Sequence, residues 1–389
     1  MRVRGSVVVV TGASGGIGRA TAKAFARRGC DVVLAARRVR ALRAAAEECE
    51  RRRGARTLVV PTDVTDNQEV AWLAHRTLEE FGRIDVWVNC AAVSVFGPFQ
   101  EVPLRDLRTV LDVNVLGCVH GARSALRVMR EQGGGTLVNV SSVVGEVSRP
   151  YTHAYGMSKA AVRSLGASLR QELLLEGEAN VHVCTVLPPT VDTPLFQHAA
   201  NYTGREVLAM PPVHSLERVA RAIVSLAAKP RRELVVGASA RSAVRGARRR
   251  PARAERLMAR QVDRRHLSRR RTVHAGHGNL YQPAAGEGAV SGGWRGRRRR
   301  AVRRAALVTA VLWAAAAGGR ALRSGGRAGP EPLTGPGGRD GGRGAGPRKR
   351  LGPRRAGGDR RGGARSTRCG SRDGPVRSGV ARCRGRGRA

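Results

Sequence analysis

Four consecutive valines, Val7–Val10, run straight into Thr11-Gly12-Ala13-Ser14-Gly15-Gly16-Ile17-Gly18 with no polar residue among them. A strand that faces water on one side alternates apolar and polar side chains, so an unbroken run demands cover on both faces. The same pattern recurs at 31–36 (DVVLAA), and between such runs lie stretches with helical spacing. Strands are expected near 6–11, 31–36, 56–61, 84–89, 135–141, 181–187 and 233–237, and helices near 16–28, 39–53, 67–81, 104–130, 152–177 and 215–228. Strand and helix in turn mean crossover connections, hence a doubly wound α/β domain on a parallel sheet.

The rhythm stops near residue 240, where the charge also changes. Residues 1–240 carry 31 Lys and Arg against 22 Asp and Glu; residues 241–389 carry 40 against 7, most of the net +42. The second part is mainly Arg, Gly, Ala and Pro, too poor in apolar surface to offset the entropy of ordering it. The expected division is one folded domain over 1–240, a basic turn-rich extension over 241–304, a short apolar segment over 305–319 and a disordered Arg/Gly/Pro-rich tail over 320–389. The seven cysteines lie far apart, with no CxxC pair and no metal-site spacing, so neither disulfides nor a metal site is expected. The valine run is too short for a secretory leader, which makes a cytoplasmic protein the expectation.

Gly12, Gly16 and Gly18, between the first strand and the first helix, suit a tight turn whose backbone can approach a pyrophosphate over the positive end of the helix. Ser14 and Ile17 belong to the same turn. At the end of the second strand, where an acid would accept from an adenosine 2′-hydroxyl, stand Ala36, Arg37 and Arg38. Two guanidiniums there favour a 2′-phosphate, hence NADP(H), with NAD(H) as the second candidate. Asp63 and Val64 follow the third strand and Asn89 the fourth, at the carboxyl ends where open sheets bind ligands.

Tyr155 and Lys159 are four apart in HAYGMSKAAV, so on a helix they share a face. A phenol ordinarily titrates near pH 10, and a neighbouring cation favours the phenolate a general base needs. Ser142 ends the strand TLVNVSS thirteen residues earlier, and Asn114 is a polar residue in the apolar text LDVNVLG.

Thr11-Gly12-x3-Gly16-x-Gly18, Asn89-x-Ala91, Asn114, Ser142, Tyr155-x3-Lys159 and Pro188-x4-Thr193, in this order, resemble the short-chain dehydrogenase/reductase family over residues 5 to about 240. The resemblance implies a Rossmann-like seven-stranded sheet of order 3-2-1-4-5-6-7 and NAD(P)-dependent oxidoreduction of an alcohol and a ketone or aldehyde. It implies that Tyr155 moves the hydroxyl proton, Ser142 holds the carbonyl, Lys159 binds the nicotinamide ribose and favours the phenolate, and Asn114 holds a water leading from Lys159. Asn89 and Asp63 would contact the cofactor, and Thr193, with the backbone near Val191, the carboxamide. Two departures, Cys90 with Ala92 and the Pro188-Pro189 pair, alter the cofactor loops without removing a catalytic group. A homodimer or homotetramer through the helices near 104–130 and 152–177 is also implied.

Residues 195–213 fall where the family's variable substrate-covering loop lies, with His198, Tyr202 and Met210 as pocket candidates. The apolar run Ala305–Gly319 would span about 22 Å as a helix against a hydrocarbon core of about 30 Å, so it is short for a span. Its flanking arginines leave membrane-surface contact through 295–323 as an alternative. Residues 314–389 contain no Phe, Trp or Tyr, so the stacking platforms of single-strand binders are absent and specific nucleic-acid binding is not expected. The competing function is a non-catalytic dinucleotide-binding scaffold or sensor acting through the basic part. The intact Ser142, Tyr155, Lys159 and Asn114 set weighs against it, because a scaffold needs no proton relay.

Overall fold

The computed structural model describes residues 3–51, 55–284 and 288–296, all within one unit, Met1–Arg323. The segments 305–319 and 320–389 lie outside the described residues, as does most of 295–323. Seven strands form one parallel sheet: β1 (Val7–Thr11), β2 (Asp31–Ala36), β3 (Thr57–Pro61), β4 (Val86–Asn89), β5 (Gly135–Val140), β6 (Val181–Leu187) and β7 (Glu233–Val235). Their order is 3-2-1-4-5-6-7, as the Rossmann-like expectation has it.

The valine run explains itself here. Val8 and Val10 pack with Leu34 and Val88 under helices α1 (Gly16–Ala26) and α2 (Val39–Glu50) and a later helix, α7 (Leu216–Ala228). Val7 and Val9 join Val33 and Trp87 on the opposite face, under α3 (Asn67–Phe81), α4 (Leu104–Leu111), α5 (Gly117–Glu131) and α6 (His153–Leu175). Each valine of β1 thus feeds one of two cores, and only Thr11, at the carboxyl end of the strand, is polar.

Two features depart from the sequence reading. The helix expected over 104–130 is broken by a π-helical segment, Asp112–Leu116, which separates α4 from α5 and has Asn114 at its centre. Such wide turns arise where side chains draw the ladder out of register, and Asn114 is bonded to a neighbouring loop and to α6. Regular elements also continue past 240. Helices α8 (Ala238–Arg249) and α9 (Pro251–Gln261) precede a strand, Leu267–Thr272, that pairs antiparallel with Arg205–Val207. Buried Ala240, Val244, Val262 and Leu267 seat them, while the arginines that dominate the composition stay outside. Among the described residues no helix is long and apolar enough to cross a membrane.

Candidate active site

A cleft of about 440 Å³ opens at the carboxyl ends of the strands. At one end lies the turn after β1. Gly12 has φ +70°, and a Cβ there would stand 2.8 Å from Ala91 Cα; a Cβ on Gly18 would stand 2.2 Å from the Gly12 carbonyl oxygen. Only bare backbone fits. Helix α1 has no side-chain cap and no acid in its first turn, so its positive end faces the cleft. Gly12, Ser14, Gly16, Ile17 and Gly18 all line it.

Thr11 and Asn89 do not line the cleft; they brace its turns. Thr11 Oγ1 accepts from the amides of Cys90 (3.0 Å) and Ala91 (3.3 Å), tying β1 to the loop after β4. The Asn89 amide is buried, donating to the Cys118 carbonyl and Asn139 Oδ1 and accepting from Trp87 Nε1 at 2.8 Å. The Asn89 side chain thus spends its bonds inside the sheet, behind the cleft. Ala91 does reach the cleft, beside Cys90, whose thiol burial pushes up to about 12 and so keeps protonated.

Arg37, Arg38, Asp63 and Val64 form the adjoining wall. Arg37 donates to the carbonyls of Tyr281 and Asn279 and stands 3.7 Å from Asp63, the one carboxylate among the described lining residues. Arg38 donates to Ser14 Oγ (3.2 Å) and the Ala284 carbonyl. Burial first, then repulsion from Arg19 and Arg37, lowers its pKa, the signature of crowded cations.

At the other end α6 brings Tyr155 and Lys159 together. Lys159 is buried, its Nζ lies 5.6 Å from the centre of the Tyr155 ring, and it donates to the Val140 carbonyl at the end of β5. Ser142 lies two residues beyond, its Oγ accepting from Val144 N (3.2 Å). Ser141 Oγ donates to the Lys159 carbonyl at 2.7 Å, a staple between β5 and α6 that the sequence did not single out. Asn114 lies off the cleft. Its amide accepts from Val93 N and donates to the Val93 carbonyl and to Ser158 Oγ, the residue beside Lys159. Pro188, Val191 and Thr193 complete this wall.

Of the covering-loop candidates, His198 and Met210 line the cleft. Tyr202 does not: its hydroxyl donates to Asp106 Oδ2 of α4 at 2.6 Å. The carboxyl-terminal stretch, by contrast, contributes Asn279, Pro283, Ala284 and Ala289 to the lining, none of them anticipated. The Ala289 carbonyl accepts from Gly16 N (3.3 Å), while Trp294 bonds to Asp192 and Thr193.

The family model described as short chain dehydrogenase matches residues 6–202. The chain belongs to this family. Among relatives, the uncharacterized oxidoreductase YxnA of Bacillus subtilis is 35% identical over 247 residues, covering 62% of this chain and 68% of that protein. Cis-4-hydroxycyclohexanecarboxylate dehydrogenase of Sinomonas cyclohexanicum is 36% identical over 242 residues, 60% of this chain and 92% of its own. A short chain dehydrogenase/reductase from Burkholderia phymatum in complex with NAD superposes with TM-score 0.59 at 27% identity, covering 66% of this chain and 97% of that one. An alcohol dehydrogenase from the archaeon Thermococcus sibiricus complexed with 5-hydroxy-NADP gives TM-score 0.53 at 28% identity, covering 59% and 95%. The protein is an oxidoreductase of the short-chain type with a nicotinamide-dinucleotide site, and the bare turn at Gly12–Gly18 and the α1 end without a side-chain cap fit that group.

Proposed function

We propose that the protein is an NADP-preferring oxidoreductase that interconverts an alcohol and the corresponding ketone or aldehyde. The observation that carries this reading is the convergence of Tyr155, Lys159 and Ser142 at one end of a cleft whose other end is the Gly12–Gly18 turn. The bound nicotinamide supplies the hydride acceptor or donor. In oxidation, Tyr155 takes the proton of the substrate hydroxyl as its carbon gives up a hydride; in reduction it returns that proton to the carbonyl oxygen. Ser142 Oγ holds the same oxygen. Lys159, buried beside the ring, sets a positive charge next to the phenolate formed when the proton leaves. Asn114 acts as a positioning residue, because its bond to Ser158 fixes the turn of α6 that carries both groups.

The Gly12–Gly18 turn and α1 would hold the pyrophosphate, Asp63 and Val64 the adenosine side, Ala91 and Lys159 the nicotinamide ribose, and Pro188, Val191 and Thr193 the carboxamide. Arg37 and Arg38 would hold a 2′-phosphate, for which the lowered Arg38 pKa is support: an anion relieves the repulsion. The named activities of the Sinomonas and Thermococcus proteins support alcohol chemistry. We take residues 1–240 as the oxidoreductase domain and 241–296 as an extension covering it. Self-association through α4 to α6 is supported by the exposed Leu104, Leu116, Leu174 and Leu175.

The test is turnover of a ketone and aldehyde panel with NADPH and NADH. A preference of about tenfold or more for NADPH is expected, lost in Arg37→Ala with Arg38→Ala, and faster turnover with NADH would sink the assignment. Tyr155→Phe should lower kcat by about 10³-fold while NADPH binding changes little.

A further inference from the structure

Arg149 is a buried cation without a counter-ion. It lies between β5 and α6, it is 9% exposed, and it lines the cleft beside Tyr155, Val147 and Phe96. Its Nε donates to Thr152 Oγ1 at 3.3 Å, and its guanidinium carbon lies 5.8 Å from the centre of the Phe96 ring. Among the described residues no carboxylate comes within ion-pair distance, and neither terminal nitrogen has a hydrogen-bond partner.

The surroundings supply no carboxylate either; the one neighbouring group whose negative form raises the Arg149 pKa is Tyr155, the phenol that moves the proton. Burial pushes the Arg149 pKa down to about 10, so the cost of leaving it unpaired is felt. His266, packed on the same Phe96 ring, is held neutral, its pKa pushed down to about 3 by burial and then by the charge of Arg149. The one acidic residue among the described lining, Asp63, belongs to the nucleotide end, where it faces Arg37. The cleft lining also holds a set of apolar side chains, Val144, Val147, Phe196, Met210 and Met258. A buried guanidinium is rare unless paired, and its planar fork matches a carboxylate.

We propose that Arg149 binds a carboxylate carried by the substrate, so that the pocket selects hydroxy acids and oxo acids with an apolar body. The assignment rests on the oxidoreductase reading and names its substrate class. Arg149 grips the acid group while Ser142 and Tyr155 meet the reacting oxygen. The apolar wall encloses the carbon frame between them.

The experiment uses the full chain and three hydroxy acids with different spacing between carboxylate and carbinol: mandelate, 3-hydroxy-3-phenylpropanoate and 4-(1-hydroxyethyl)benzoate. Each is oxidised alongside its methyl ester. At least one acid should exceed its ester by about 100-fold in kcat/KM, because a site built for a polar group discriminates strongly against analogues lacking it. In Arg149→Met, which keeps the stem's packing, that ratio should collapse to within about threefold of one, mostly through KM. Arg149→Lys should retain part of it. Esters turned over as well as acids, or a ratio that survives in Arg149→Met, would overturn the proposal.

If nothing in the panel is turned over and Tyr155→Phe changes nothing, the oxidoreductase reading is what has failed. Arg149 is then judged by calorimetry with benzoate against benzamide. Benzoate should bind about tenfold tighter or more, and this advantage should vanish in Arg149→Met and in Arg149→Gln, two variants that guard against misfolding of either. Equal binding of the two ligands overturns the proposal, and the variants cancel any non-specific attraction to the basic extension.

Discussion

The Gly12–Gly18 side of the cleft and the side made by 276–284 and 288–294 face the same space but are held in place by different forces. The first is fixed by the sheet: β1, β4 and β5 bring their turns together, and Thr11 and Asn89 brace them from behind. Among its described residues the second has only a single bridge, Gly276 to Asn201, and no strand ladder. It is fastened by scattered bonds: backbone to backbone from Asn279 to His198, Gly16 to Ala289 and Gly292 to Asp192, and through side chains with Arg37 on Asn279 and Tyr281, Arg38 on Ala284, and Trp294 on Asp192 and Thr193. A cut of equal size should therefore threaten the fold on one side and only the cover on the other.

Gly18→Ala should cause the largest loss. A methyl group there meets the Gly12 carbonyl at 2.2 Å, backbone that cannot swing away. A destabilisation of about 3 kcal/mol is expected, together with loss of detectable NADPH binding, read by urea unfolding and fluorescence titration. Tight cofactor binding in this variant would break the comparison outright.

Asn89→Ala comes next. It leaves Trp87 Nε1, the Cys118 carbonyl and Asn139 Oδ1 without their shared partner inside the sheet. The expected cost is about 2–3 kcal/mol in urea unfolding, even though the side chain does not line the cleft.

On the opposite side, Trp294→Ala removes the indole that donates to the Thr193 carbonyl and packs against Phe196. Because the stretch can open without the sheet, the main transition should move by no more than about 1 kcal/mol. Hydrogen exchange over 276–284 and 288–294 should instead quicken by about tenfold or more, and NADPH should bind a few-fold more weakly. A large drop in global stability would show that this stretch is part of the core rather than a cover.

The same contrast explains what could be read from the chain. The parallel sheet was legible because Val7–Val10 must be covered twice, and the turn residues because glycine spacing maps directly onto backbone geometry. Tyr155 and Lys159 were legible because helical spacing puts them on one face. Tyr202 was misplaced as a pocket residue because nothing in its own segment announces Asp106, nearly a hundred positions earlier. Arg149 and Ala289 escaped for a related reason: they sit in irregular chain, where no period links residue to surroundings. Past 240 the abundance of arginine masked the sparse apolar positions, Ala240, Val244 and Val262, that seat two helices.

A stability effect of similar size, but dependent on pH, should come from the anchor joining the cover to α4. Asp106 has no exposed surface, and its carboxylate accepts from Tyr202, Tyr281 (2.7 Å) and His277 (3.0 Å). Burial would raise its pKa, but these three bonds outweigh burial and hold it below the usual carboxylate range. A group depressed in the folded state lends stability above its unfolded pKa, near 3.9, and loses it as pH falls through the folded value. Asp106→Asn should therefore cost about 1 kcal/mol at pH 7, with the gap to the parent closing as the pH drops below about 4. Urea midpoints of both proteins across that range measure the gap directly. A gap that stays constant down to pH 2 would mean that packing, rather than the charge on Asp106, fastens this end of the cover.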